Sequence, residues 1–471
     1  MQKKLLLINP ARKLSSITQR SKKISFPPLG LGYVAALTPK DWEIRLIDEG
    51  LQEFRFEEAD LVGFTASTQN APRAYELARS FREKRIPTVM GGVHASTLPE
   101  EASKYVDTLV IGEAESVWKS VIHDFEAGRM QPCYVGRRIP LVNLVVPRRD
   151  LYSDKYPIKG TLQSARGCPV HCDFCSVTAF NGGTYRQRPV KEVLDELEQV
   201  DAKLIYFVDD NILGYGPGAE KRATELFRGI VDRGLKIHWG SHATINFVEN
   251  EEVLKVAQKS GCFNLFIGFE SLDEDCLKRM CKVPNLRVGV RNYKQIIRKF
   301  QQHGIGVIGG FMFGFDTDTK DVFSRVTEFI LSSQLDAAQL SILNPLPGTR
   351  MYRKLQKEQR LLHTNYPEDW ERYDNFGNVL FRPRGMTPEE LEEGLLQVYK
   401  ATTGKVRNVG RALTTAFRTK NLWAAGGAYL WNDILGKEFR KRYAENCGGL
   451  WRQESPVLRG VSNSTAKETR A

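Results

Sequence analysis

Short apolar runs alternate with helical stretches along most of this chain, and that alternation constrains its fold more than any other feature. In the first part the runs are Leu5-Leu6-Leu7-Ile8, Ile44-Arg45-Leu46-Ile47, Leu61-Val62-Gly63-Phe64, Val89-Met90 and Leu109-Val110-Ile111, each ended by Asn, Asp, Thr or Gly. Helical stretches such as 71–84 and 115–125 lie between them. Strands of this length separated by single helices predict a doubly wound parallel sheet, whose ligands bind outside the carboxyl ends of the strands. Those ends carry Asn9-Pro10, Thr65-Ala66-Ser67, Gly91-Gly92-Val93-His94 and Gly112-Glu113. A second series begins at Thr161, with candidate strands at 161–165, 204–208, 236–242, 263–268, 306–312 and 339–343. One helical pattern fills each gap; in the first, Val190, Val193, Leu194, Leu197 and Val200 share a face. Six such units predict a barrel-like parallel sheet with its chemistry at the carboxyl ends of the strands.

The two series are separated by 129–160, where Pro132, Pro140, Pro147 and Pro157 read as a linker. The pattern therefore divides the chain into an α/β domain over 1–128, the linker, a barrel over 161–350 and a basic helical region over 351–471. Within the last, Thr387-Pro388-Glu389-Glu390 reads as a capped helix start, and 462–471 as a polar, disordered end. Gly30-Leu31-Gly32-Tyr33-Val34-Ala35 matches a dinucleotide-binding fingerprint, but Phe26-Pro27-Pro28 before it cannot be the buried strand that fingerprint needs. It is read as a helix start with small residues for close packing. The apolar start stops at Asn9-Pro10, too soon for a secretory signal, and no apolar run reaches the ~18 residues of a membrane span. A cytosolic protein is expected, in which eight cysteines are not a disulfide framework.

Three of those cysteines, Cys168, Cys172 and Cys175, form a C-x3-C-x2-C loop directly after the first strand of the second series. Three thiolates on one short loop can hold three irons of a four-iron cluster and leave the fourth iron open. The competing reading is structural zinc with His171 as fourth ligand. His171, however, adjoins Cys172 in a tight loop. Cys133, Cys262, Cys276, Cys281 and Cys447 lack metal-site spacing, with Cys276 and Cys281 leaving room for a second cluster or a resolving thiol.

With Phe174 just before the last cysteine, the loop resembles the signature of the radical S-adenosylmethionine (SAM) enzymes. The segment before it resembles the cobalamin-binding domain of one large subgroup. The resemblance implies a flavodoxin-like sheet followed by a partial (β/α)6 TIM-like barrel. It also implies a [4Fe–4S] cluster on Cys168, Cys172 and Cys175, with SAM chelating the open iron. Phe174, Asp209, Asp210, Glu270, Gly309 and Asn344-Pro345 match positions that surround SAM in the family. Cobalamin would sit against Ser67, Gly91, Gly92, His94 and Glu113; a D-x-H-x-x-G motif is absent, so His94 is the only histidine at an expected strand end. The implied reaction is reductive cleavage of SAM to a 5′-deoxyadenosyl radical, hydrogen abstraction, and methylation of an unactivated carbon from methylcobalamin. Without a corrinoid, oxidation, carbon–carbon coupling or rearrangement takes its place. An electron donor such as flavodoxin or ferredoxin is implied in either case.

The net charge of +12 is concentrated at the end: 401–471 holds 13 Lys and Arg against 5 Asp and Glu. Arg407, Arg411, Arg418, Lys420, Lys437, Arg440, Lys441 and Arg442 interleave there with Phe417, Leu422, Trp423, Tyr429, Leu430, Trp431 and Phe439. Two readings follow: a helical cap packed on the barrel, or peripheral contact with an anionic membrane. The second points to a lipid or isoprenoid substrate, and the cysteine loop and Val208-Asp209-Asp210-Asn211 are similar to lipid-modifying members such as the hopanoid methylases. No RNA-binding module or base-stacking platform is visible, so nucleic acid is not expected as a partner.

Overall fold

The computed structural model describes residues 2–11, 25–374 and 377–447, so the polar end expected at 462–471 lies outside the described residues. Six strands form the first sheet: β1 (Lys4–Asn9), β2 (Glu43–Asp48), β3 (Leu61–Thr65), β4 (Thr88–Gly91), β5 (Thr108–Ile111) and β6 (Cys133–Val135). They are parallel throughout, in the order β2-β1-β3-β4-β5-β6. Strand β1, inside the edge strand β2, is covered on both faces, which is why it reads as an unbroken apolar run. Strand β6 falls in the stretch expected as linker. Three residues with only Tyr134 buried leave no pattern for sequence reading to find. The fingerprint-like segment is the helix Leu29–Leu37, where a Cβ on Gly32 would lie 2.1 Å from the Tyr152 hydroxyl. The glycine there serves packing.

The second sheet starts at β7 (Gly160–Leu162). A hairpin follows, β8 (Ala165–Arg166) antiparallel to β9 (Arg186–Gln187), with the cysteine loop between its strands. Then come β10 (Leu204–Phe207), β11 (His238–Ala243), β12 (Cys262–Glu270), β13 (Gly306–Phe313) and β14 (Ala337–Ile342). Sheet order is β14-β13-β12-β11-β10-β7, each neighbour parallel, so the six predicted units form a partial barrel with β14 and β7 as its edges.

The core lies outside this sheet. Ile205, Phe207, Trp239, Leu265, Ile267, Phe269 and Val307 face the helices and are dry. The alternate residues, which the two-residue period of a strand sends to the other face, are partly open to water: Tyr206, Val208, His242, Phe266, Gly268, Met312 and Gln339. A closed eight-stranded barrel fills its interior with side chains. This one keeps its interior available.

The edge strand β14 is covered by the helix Pro388–Thr402, whose start carries the predicted Thr387/Glu390 capping box. Its Tyr399 hydroxyl accepts from the Leu340 amide (3.0 Å) and donates to the Leu340 carbonyl (2.8 Å), while the ring stacks on Phe439 at 3.7 Å. One phenol thus satisfies both edge groups of Leu340. Replacing it, Tyr399→Phe, leaves a buried amide and carbonyl unpaired and is expected to cost about 1–3 kcal/mol in denaturant unfolding monitored by circular dichroism.

Candidate active site

The cysteine loop leaves the sheet where two adjacent carboxylates hold its base. Asp209 accepts from the Ser164 amide (2.7 Å), the Ser164 hydroxyl (2.5 Å) and the Ala165 amide (3.2 Å). Asp210 accepts from the Gly167 amide at 2.9 Å. Gly167 has φ +87°, and a Cβ there would meet the Thr184 carbonyl oxygen at 2.1 Å, so the turn into Cys168 requires glycine. Beyond it the Cys175 amide bonds the Cys172 carbonyl (3.2 Å), and Arg350 binds the Asp173 carboxylate at 2.9 Å. Phe174 packs edge-on against Phe315, with ring centroids 6.4 Å apart.

Cys172 is buried; Cys168 and Cys175 are half-buried. Burial pushes all three thiols up, Cys172 to about 12; the Lys282 ammonium opposes it at each, as do the Val177 and Thr178 amides at Cys175. Three thiolates side by side therefore call for a cationic centre, which is what a metal cluster supplies. Among the described residues no three His, Cys, Asp or Glu side chains are gathered tightly enough to hold a single ion. His171 is exposed and lies over Gly183, where a Cβ would fall 2.0 Å from its ring. It turns away from the role the zinc reading needs.

Glu270 closes β12 at a break in register, with φ +65°, a value uncommon outside glycine. Its carboxylate folds back to where a Cβ on Gly268 would stand and pairs with Lys282 Nζ at 2.6 Å. Burial works against the lysine's charge, but Glu270 outweighs it and holds the ammonium above the ordinary lysine range. The carbonyls freed by the irregularity are taken up by Asn285, which donates to Gly268 (3.0 Å) and Phe269 (3.1 Å). Lys282 is thus a fixed positive charge facing the cysteine loop.

The carboxyl ends of the two sheets face each other across a cleft of about 480 Å3. One wall is Gly63, Thr65, Gly91, Gly92 and Glu113; the other is Gln163, Arg166, Ser176, Val177, Val208 and Asp210. Gly92, at φ +93°, would clash with Thr65 if it carried a Cβ. The volume lies in the range of cofactor pockets, and the glycines bring bare backbone to the wall. Ion pairs set its width. Glu113 is gripped by both Arg186 nitrogens and by the Ile139 amide (2.9 Å), and Arg166 reaches Glu115 at 2.5 Å. Burial opposes the Glu113 charge, yet Arg186 outweighs it and its carboxyl is held below the usual range.

The expected cofactor residues therefore divide. Gly91, Gly92, Glu113 and Asp210 line the cleft. His94 does not: it is fully buried under the sheet end, with Nε2 2.8 Å from the Tyr75 hydroxyl and 3.3 Å from Glu101, whose carboxylate also takes Trp370 Nε1 at 3.0 Å. Ser67 is exposed and outside the cleft wall. Gly309 faces the helices, where a Cβ would lie 2.8 Å from Leu335. Asp209 is consumed by the loop base. Asn344 is buried at the end of β14. Sequence reading missed Lys282, Asn285 and Arg186. Only Arg166, two residues before the first cysteine, stood where a signal was available.

Comparison with known proteins bears on the same regions. The family model of the Radical SAM superfamily matches residues 162–330, and that of the B12 binding domain matches 22–122. The chain is 31% identical over 435 residues to the bacteriochlorophyllide d C-12(1)-methyltransferase of Chlorobaculum tepidum, covering 88% of this chain and 91% of that one. It is 26% identical to the hopanoid C-2 methylase of Rhodopseudomonas palustris, over 73% of this chain and 66% of that one. Among solved structures, the radical S-adenosylmethionine methyltransferase TsrM from Kitasatospora setae, with cobalamin and [4Fe–4S] cluster bound, superposes with a TM-score of 0.66 at 16% identity, covering 94% of this chain and 100% of that one. The last likeness concerns the fold. By family models and relatives together, the chain belongs to the radical SAM enzymes that carry an N-terminal cobalamin-binding domain.

Proposed function

We propose that this enzyme methylates an unactivated carbon of a large hydrophobic substrate. A [4Fe–4S] cluster would sit on Cys168, Cys172 and Cys175 with SAM at the open iron, and cobalamin in the cleft between the sheets. When bound, the cluster and SAM supply a 5′-deoxyadenosyl radical for hydrogen abstraction, and cobalamin supplies the methyl group. One observation carries the reading: Ser176 and Val177, next to the last cysteine, and Asp210, which holds the loop base, are themselves part of the cleft wall. The two cofactor sites thus share a boundary.

The chain's own residues then have assignable work. Asp209 and Asp210 fix where the cysteine loop starts. Lys282, charged and water-poor, offers a cation to a carboxylate near the cluster, and Glu270 offers an acceptor to ammonium or hydroxyl groups. Tyr206, His242, Phe266 and Met312 present a largely apolar inner barrel face to the substrate. His242 is exposed on this face. The relatives' names give two substrate classes, bacteriochlorophyllide and hopanoid. Phe26 stacks on Tyr206 at 4.6 Å and Phe266 meets His242 edge-on at 4.9 Å, an aromatic lining that suits a large ring system.

Anaerobic reconstitution tests the assignment. Cys172→Ala is expected to abolish 5′-deoxyadenosine formation, and Asp209→Ala, which removes no thiol, to lower both bound iron and 5′-deoxyadenosine at least tenfold. Full turnover in the cluster-depleted Cys172→Ala protein sinks the reading. For the corrinoid, the cleft wall contains no histidine among the described residues. His94→Gln is therefore expected to lower the melting temperature while leaving corrinoid absorbance per chain unchanged. A wild-type protein that takes up no corrinoid would favour the corrinoid-free coupling or oxidation chemistry instead.

A further inference from the structure

The helix Lys405–Thr419 is turned inside out. An amphipathic surface helix buries its apolar stripe and shows its polar face to water. Here the residues against the protein are polar. Thr415 donates to the buried Asp336 carboxylate at 2.6 Å, Arg411 to Asn432 at 2.8 Å and Arg418 to Gln301 at 3.1 Å, while Asn408 is 1% exposed. Asp336 is held in turn by the Val307 amide at 2.8 Å and by Gln301 at 3.1 Å, so the inversion is built into the start of β14. The apolar stripe Val406, Val409, Leu413 and Phe417, at spacings of three and four, faces out, with Val406 89%, Leu413 66% and Phe417 84% exposed.

The stripe continues across the turn. On the helix Leu422–Cys447, Leu422 is 81% exposed, and Tyr429 and Leu430 are exposed as well. Lys405, Arg407, Lys420, Lys437, Arg440 and Lys441 are exposed on the same two helices. Over 404–441 neither acid is exposed: Asp433 is buried, pairing with Lys437 at 2.6 Å, and Glu438 is half-buried. A contiguous apolar surface on a soluble domain marks an interaction site, and its charge says with what. A second copy set face to face on this surface would bring like charges together. An anionic bilayer offers an apolar interior beneath a negative surface, which matches both halves of the pattern.

We infer that this helical hairpin docks the enzyme on an anionic lipid surface, with Val406, Leu413, Phe417 and Leu422 inserted and the lysines and arginines at headgroup level. This deepens the reading of a large hydrophobic substrate and rests on it for its purpose, though not for its evidence. The hairpin packs against the amino ends of the barrel strands: Trp423 stacks on His238 at 4.3 Å, and Asn421 bonds the Gly304 carbonyl at 2.9 Å. Docking there keeps the bilayer at the end of the barrel opposite the cysteine loop.

The test is co-sedimentation of the full-length protein, without substrate, with vesicles of phosphatidylcholine alone or mixed with phosphatidylglycerol. Binding is expected to the mixed vesicles, weakened by salt, and reduced at least tenfold by L413Q/F417Q with an unchanged circular dichroism spectrum and unchanged 5′-deoxyadenosine formation. Absence of binding by the wild type, or equal binding by the double variant, overturns the inference. So does a dimer that L413Q/F417Q dissociates while vesicles go unbound, since that gives the surface to a second copy. Because sedimentation needs no turnover, these failures leave the methylation reading untouched, and loss of turnover leaves the docking result untouched.

Discussion

Asp209 stands just past the end of β10 with its carboxylate shut away from water, and three donors from Ser164 and Ala165 converge on it. Burial pushes its pKa up to about 6, while those donors and the Arg222 guanidinium pull it back. Arg222 also bonds the Ser164 carbonyl and the Arg188 carbonyl, both at 2.9 Å, tying both strands of the cysteine hairpin to the helix Pro217–Asp232. A buried carboxylate stripped of such partners loses more than one hydrogen bond returns, so the cluster of donors and the acid enforce each other. With Asp210 holding Gly167, the place and direction from which Cys168 leaves the sheet are set by the end of the neighbouring strand. The loop itself has little regular structure to set them.

The same economy of means joins the two sheets. Arg166 and Arg186 both belong to the cysteine hairpin; both reach Glu113 just past the end of β5, and Arg166 reaches Glu115 as well. Half-buried pairs of this kind add little net stability, because desolvation offsets the attraction, but they punish misplacement. Their effect is geometric: the hairpin that carries the thiols and the strand end that lines the cleft move as one. His94 belongs to another such joint. Through Glu101 it meets Trp370, within an aromatic cluster with Tyr352 and Tyr373 that follows the barrel.

Alternation of strands and helices, and the spacing of three cysteines, were enough to read both parallel sheets and the position of the loop at the first barrel strand. Periodicity reports which residues share a face. It is silent on which way that face turns. His94 follows Gly91-Gly92 at a strand end, as a cobalt ligand would, yet Gly92 at φ +93° sends the chain into a helix that carries the imidazole beneath the sheet. Lys282 lies in the irregular turn after the helix Glu274–Arg279, with no motif around it, and only the fold brings it back over β12. Strand β6 was too short to leave a pattern. Gly309 and Gly310 are neighbours with opposite duties, one facing the helices and the other lying under Phe266 inside the barrel.

The barrel and the C-terminal hairpin show one principle at two scales. In each, stability is drawn from one side so that the other is released from structural work. The barrel's dry packing lies between strands and helices, with Trp239 set against both Phe207 and Phe227, and its inner face is left open to water. The hairpin is anchored by hydrogen bonds to Asp336 and Gln301, and among the described residues its apolar stripe is left uncovered. A sheet that packed its interior would leave no room there, and a helix that buried its stripe would show water only polar side chains. Both inversions sacrifice buried apolar area that folding alone would favour. In a chain with marginal net stability that loss is best explained by what the exposed faces are for.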